Sequence, residues 1–90
     1  MRFEWDARKA RENFRKHAVS FEEACSVFFD PLSATGDDPD HSVGERRGVT
    51  FGVSSSGRLL VVAHAERGDA IRIISARRAR RAERKLYEES

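Results

Sequence analysis

The spacing of apolar residues along this chain switches between two and three to four, and each switch marks an element. Phe3 and Trp5 alternate with Arg2 and Glu4, which predicts a short strand ending at Asp6, a favourable helix N-cap. A helix then fits Ala7 to about His17, with Ala7, Ala10, Phe14 and His17 on one stripe and the charged residues elsewhere. Ser20 and Glu23 form a capping box for a second helix, whose apolar face is Phe21, Ala24, Cys25 and Phe28. Asp30-Pro31 closes it, because a residue before proline is pushed out of the helical region. A short strand near Leu32 to Thr35 and an exposed loop to Gly44 follow.

Period two returns at Arg47, Val49, Phe51 and Val53, and the turn Ser55-Ser56-Gly57 leads into the apolar run Leu59 to Ala63. A second turn at Glu66 to Asp69 precedes the strand Ile71 to Ser75, giving an antiparallel meander. His64 shares a strand face with Leu60 and Val62. From Ala76 to about Glu88 the spacing predicts a helix with a narrow stripe of Ala76, Ala79, Ala82 and Leu86, and with Arg77, Arg80, Arg81 and Arg84 opposite. Such a helix could lie lightly on the sheet or be held by a partner. The fold expected is α+β: a small antiparallel sheet, two N-terminal helices and a basic C-terminal helix.

Ninety residues suit one domain, 1–90, with a small core. The formal charge of +2 hides an asymmetry, since eight Lys/Arg between Arg67 and Lys85 face only Asp69 and Glu83. That footprint suits an anionic partner, and it equally suits a solvated helix face. Cys25 stands alone, which excludes an internal disulfide and makes it a small apolar residue of a reducing cytoplasm. No apolar stretch nears the ~20 residues of a membrane span, and no cofactor is expected. The acidic set Asp37, Asp38 and Asp40 beside His41 could suggest a metal, but it lacks further ligands and is assigned none.

The chemistry concentrates in His64-Ala65-Glu66-Arg67-Gly68-Asp69 and the arginines that follow. A proton acceptor beside fixed cations is what cleavage of a phosphodiester with an adjacent hydroxyl requires, which makes RNA the first substrate to consider.

The chain resembles the BrnT ribonuclease toxins of bacterial type II toxin-antitoxin modules, shortened members of the RelE superfamily. The resemblance rests on Phe3-Glu4-Trp5-Asp6 with Lys9, Asn13 and Lys16-His17, on Val19-Ser20-Phe21-Glu22-Glu23-Ala24, and on Asp30-Pro31-Leu32. It continues through Asp38-Pro39-Asp40-His41-Ser42, Gly44-Glu45, Arg47, Val61-Val62-Ala63-His64, Glu66-Arg67-Gly68, and Ile71-Arg72-Ile73-Ile74-Ser75-Ala76-Arg77. Ala18 stands where the family pattern has glycine, and Ala65 where it has threonine. The resemblance implies a RelE-like fold and a toxin that cuts RNA without a metal and arrests translation. It also implies a cognate BrnA-like antitoxin, with operator DNA bound only through the toxin-antitoxin complex.

Within that frame the catalytic candidates are His64, Glu66, Arg67, Arg72 and Arg77. His64 suits proton transfer because its ordinary pKa lies near operating pH, while Glu66 either shares that duty or orients the guanidiniums. Arg67, Arg72 and Arg77 suit phosphate oxygens, and a surface salt bridge is the plainer role for any one of them. Candidates for RNA binding are Arg47, which could instead pair with Glu45, together with Arg80, Arg81, Arg84 and Tyr87. Tyr87 could stack on a base, donate a proton or simply pack; Trp5 is expected in the core. A non-catalytic nucleic-acid-binding module and a protein-interaction domain remain as alternatives. Neither of them requires His64 and Glu66 beside the arginines.

Overall fold

The computed structural model describes residues 1–37 and 46–89. Its elements are β1 (Arg2–Glu4), α1 (Ala7–His17), α2 (Phe21–Ser26) running into a 3-10 turn (Val27–Phe29), β2 (Ala34–Asp37), β3 (Arg47–Val53), β4 (Leu59–Arg67), β5 (Ala70–Arg78) and α3 (Arg81–Glu89). These strands form one sheet in the order β1-β5-β4-β3-β2. The β2, β3, β4 and β5 pairings are antiparallel, whereas β1 runs parallel to β5. Of the acidic set considered for a metal, only Asp37 lies within the described residues, as does only Arg47 of the Arg47–Glu45 pair.

The expected N-caps form, but the reciprocal half of the Ser20–Glu23 capping box does not, because the Glu23 carboxylate goes to Arg58, Ser54 and Ser56 instead. Asp6 accepts from the backbone N–H groups of Arg8 and Lys9, and Ser20 accepts from that of Glu23. One sheet face is covered by α1 and α2, and the core joins Val19, Phe21, Ala24 and Val27 to Leu60, Val62, Ile73 and Ala76. Trp5 packs at its margin, its ring edge-on to Phe21 at 6.1 Å. Cys25 is half-buried against the same cluster, and burial pushes its thiol up to about 11.

Three expectations shift. The stripe drawn for α1 placed Phe14 inward, yet Phe14 is half exposed and Asn13 is the buried residue. Its carboxamide donates to the carbonyls of Val19 (3.0 Å) and Ala76 (2.8 Å) and accepts from the N–H of Ala76 (3.1 Å), so α1 docks on β5 through hydrogen bonds. The second strand begins at Ala34, because Asp30 spends residues 30–33 on a turn: its side chain accepts from Leu32 N–H and its carbonyl from Ser33 N–H. The last helix begins at Arg81, because β5 continues through Arg78. Ala76 is held flat by Asn13, Leu60 pairs with Arg78, and Ala79 N–H reaches the Leu59 carbonyl. Glu83 then accepts from Arg80 N–H and starts the helix.

Candidate active site

Residues paired across neighbouring strands point to the same face, and successive residues point to opposite faces. In β4 this divides the candidates. His64 pairs with Gly48 and Ile73 and faces the helices, as does Glu66, which pairs with Ile71. Ala65 pairs with Arg47 on one side and Arg72 on the other, and Arg72 pairs with Glu4, so Arg47, Ala65, Arg72 and Glu4 form a row on the opposite face. Arg67 lies further along that face, paired with Ala70. A bulge sits between these rows: Ser75 faces Ala63 while Ile73 faces His64, which leaves Ile74 extra in β5.

All of these residues nevertheless share one end of the sheet. There Thr35, Asp37, Arg46, Arg47, Gly48, His64 and Glu66 line a small cleft of about 40 Å³. Arg46 faces Glu66 at 3.8 Å, both side chains being largely exposed. Arg72 meets Glu4 at 3.3 Å, and Arg2 meets Asp69 at 3.0 Å in full solvent.

His64 is the buried member, only 6% exposed. Its Nε2 lies 2.7 Å from Thr50 Oγ1, which lies 2.7 Å from Thr35 Oγ1. The Phe28 ring stands edge-on to the imidazole at 5.1 Å. Nδ1 is buried with no hydrogen-bond partner among the described residues. Burial lowers the pKa of the ring, and the Glu66 charge only partly opposes it. The ring is therefore neutral near pH 7, with neither nitrogen presented to solvent.

Arg77 is placed apart. It pairs with Val61, five residues along β5 from Arg72, a span of ~16 Å at strand rise. Its guanidinium holds both carboxylate oxygens of Glu83 at 2.8 Å, a fork-to-fork contact that draws the Glu83 pKa down to about 2. Arg80, just before α3, and Arg81 and Arg84 on it stand exposed, and Tyr87 donates to Asp30 at 2.5 Å, which pushes the phenol up to about 12. α3 has no buried residue and is held at one end through Arg77–Glu83 and at the other through Tyr87–Asp30.

Sequence reasoning missed Thr35, Asp37, Arg46 and Gly48 in the cleft and the buried Thr50 behind it. A signal existed for two of them. On the helix side of β3 the residues are Gly48, Thr50 and Gly52, small or polar where a core strand would be apolar. A Cβ at Gly48 would stand 3.1 Å from both His64 Cε1 and the Gly36 carbonyl oxygen, so glycine keeps room over the imidazole.

Fold and site together define a small α+β protein whose cations and proton acceptors crowd one sheet end. The backbone is similar to that of the Brucella abortus ribonuclease toxin BrnT, with a TM-score of 0.62 and 23% identity over 90% of this chain and 99% of that one. Residues 5–83 match the family described as the ribonuclease toxin, BrnT, of type II toxin-antitoxin systems. The chain belongs to this family and is a ribonuclease toxin of a type II toxin-antitoxin system. No curated protein matches it. Among the described residues no helix is long and apolar enough to cross a membrane.

Proposed function

We propose that the protein is an endoribonuclease that cuts by attack of a ribose 2′-oxygen on the adjacent phosphorus, without a metal. The supporting observation is the shared sheet end, where Glu66 and His64 meet Arg46 and Arg47 around one cleft, with Arg67 and Arg72 at the same end on the opposite face. Glu66, exposed at the rim, takes the proton of the 2′-hydroxyl while His64 acts from behind it. Arg47, Arg67 and Arg72 neutralise the charge that grows on the phosphate, because a guanidinium fork matches phosphate oxygens and stays charged. The bond from phosphorus to the 5′-oxygen breaks, that oxygen takes a proton from water while Glu66 returns its own to solvent, and the products are a 2′,3′-cyclic phosphate and a 5′-hydroxyl. Arg77 is left out of the reacting set and anchors α3 through Glu83. Arg80, Arg81 and Arg84 track the RNA backbone through counterion release, with Tyr87 beside them.

In the cell this cleavage arrests translation in the cytoplasm until a BrnA-like antitoxin neutralises the toxin, and the complex binds operator DNA through the antitoxin. Incubation of the purified, partner-free chain with a structureless RNA in excess EDTA tests the chemistry. Cleavage is expected to persist and to yield the two ends named above. Loss of cleavage with rescue by magnesium would rule the mechanism out.

A further inference from the structure

We propose that the Thr35 hydroxyl donates a hydrogen bond to a phosphate oxygen of the bound RNA, aimed by a chain that starts at His64 and passes through Thr50. Thr50 and His64 are then positioning residues. The proposal rests on the ribonuclease reading of the cleft.

The two 2.7 Å contacts, Thr35 Oγ1 to Thr50 Oγ1 and Thr50 Oγ1 to His64 Nε2, form a continuous line from the exposed edge of β2 to the buried imidazole. A hydroxyl both gives and takes, so the line can be polarised in either of two directions. In one, Nε2–H donates to Thr50, Thr50 donates to Thr35, and the Thr35 proton points outward. In the other, every proton is reversed, Nε2 accepts, and the imidazole carries its proton on Nδ1.

Burial decides between them. Nδ1 has no partner among the described residues, and a buried N–H donor left in that state costs ~1–3 kcal/mol. A bare ring nitrogen there forgoes only an acceptor's bond, the milder loss. An imidazolium would carry protons on both nitrogens and meet the same penalty. The charged groups around the ring do not reverse this: Glu66 of β4 pairs with Arg46, just before β3, Asp37 of β2 lines the cleft, and the 3-10 turn offers only the edge of Phe28. Neutral His64 with its proton on Nε2 therefore fixes the whole line outward, and each bond polarises the next.

At the outer end Thr35 is exposed and lines the cleft together with Arg46 and Arg47. At about 40 Å³ the cleft is of a size that suits a phosphate oxygen. Two guanidiniums and two carboxylates, Asp37 and Glu66, line it, so their formal charges balance. Within the lining itself net attraction is thus small, and a directed neutral donor adds to what Arg67 and Arg72 supply from the other face.

The test uses the purified full chain. Long-range proton–nitrogen NMR of His64 is expected to find the proton on Nε2 at neutral pH, and a proton on Nδ1 would overturn the proposal. Single-turnover cleavage of a structureless RNA by Thr35→Val and Thr50→Val is expected to fall ~10-fold or more, with Thr35→Ser and Thr50→Ser restoring most of the rate. Affinity for a 2′-O-methyl RNA, which cannot be cut, should change far less. Valine matches threonine in shape, and circular dichroism checks that both variants fold. If Thr35→Val cuts at the parent rate, or if serine fails to rescue, the donor role falls while the reading of the cleft stands. If Glu66→Gln leaves cleavage intact, that reading itself falls and takes the donor with it.

Discussion

The two ends of the sheet use their charged groups in opposite ways. At the end formed by the β3–β4 turn, Arg58 grips Glu23 of α2 with Nε and Nη2, and the same carboxylate accepts from Ser54 and Ser56. Both side chains are largely withdrawn from solvent, at 26% and 15% exposed. A second guanidinium contact, from Arg58 Nη2 to the Ala18 carbonyl at 3.0 Å, ties in the end of α1. At the opposite end, Arg46–Glu66 stands at 3.8 Å and Arg2–Asp69 is in full solvent. Exposed pairs of that kind contribute little to stability because water screens them and side-chain entropy opposes them. Charges satisfied within the fold hold it together, whereas charges left loosely paired remain available to a phosphate.

The contrast breaks most sharply if the loose end is silent in catalysis. Arg67→Ala and Arg72→Ala are expected to lower the single-turnover rate on bound RNA by ~10²-fold or more, as removal of a donor to developing charge does elsewhere. RNA affinity and folding stability should change little, since Arg67 is exposed and Arg72 gives up only a partly exposed partner, Glu4. Arg81→Ala, on α3, should do the reverse: weaker binding with a flatter salt dependence, and an unchanged rate once RNA is bound. Binding and single-turnover cleavage measured side by side decide it. Equal losses of affinity in all three, with the rate unaltered, would mean that the loose end is only a binding surface.

The tight end should fail in stability instead. Glu23→Gln removes the charge from a carboxylate that satisfies a guanidinium and two hydroxyls, and should cost about 2 kcal/mol by chemical denaturation. Cleavage by the folded fraction should persist. Arg58, aided by Ser54 and Ser56, holds the Glu23 carboxyl at about 2, down from 4.5, and Arg77 does the same for Glu83. Because the folded values lie below the unfolded ones, both contributions are complete above pH 4.5 and vanish as pH falls through about 2. Melting temperature is therefore expected to drop across that window, and Glu23→Gln should flatten the drop. An acid profile identical to that of the parent would show that the Glu23 cluster is not what acid releases.

Much of this arrangement was legible before the structure. Capping at Asp6 and Ser20 depends on neighbours two or three residues away, and the β3–β4–β5 meander declares itself through period two, so both were readable from the chain. The end of β5 was not, because the carboxamide of Asn13, 63 residues distant, holds Ala76 in the strand that helical spacing assigned to a helix. The β1–β5 pairing is parallel and joins Glu4 to Arg72, 68 residues apart, which no local pattern encodes. For the site, grouping residues 64–72 was sound in sequence, but strand alternation sends His64 and Arg72 to opposite faces. The Thr35–Thr50–His64 line was hidden because it crosses three strands, directly from β2 to β3 and then diagonally to β4, where Val62 is the partner of Thr50 and Gly48 that of His64.

The smallest expected effect lies where the tight end is imperfect. Ala18 closes α1 with φ 57° and ψ 34°, the left-handed region that a Cβ disfavours and glycine enters freely. It was also the position where the family pattern led one to expect glycine. Its N–H still bonds to the Phe14 carbonyl at 2.8 Å and its carbonyl still accepts from Arg58, so the residue makes every contact the cap needs while bearing the strain. Ala18→Gly relieves that strain but loosens the unfolded chain, which offsets part of the gain. The net expectation is a stabilisation of about 0.5 kcal/mol, a rise in melting temperature of roughly 2–4 °C for a domain of this size. Cleavage should not change, since the carbonyl that Arg58 holds stays in place at the end remote from the cleft. A fall in melting temperature would mean that Arg58 and Glu23 hold Ala18 in a backbone geometry whose cost is already offset, and that the tight end gains nothing from a freer cap.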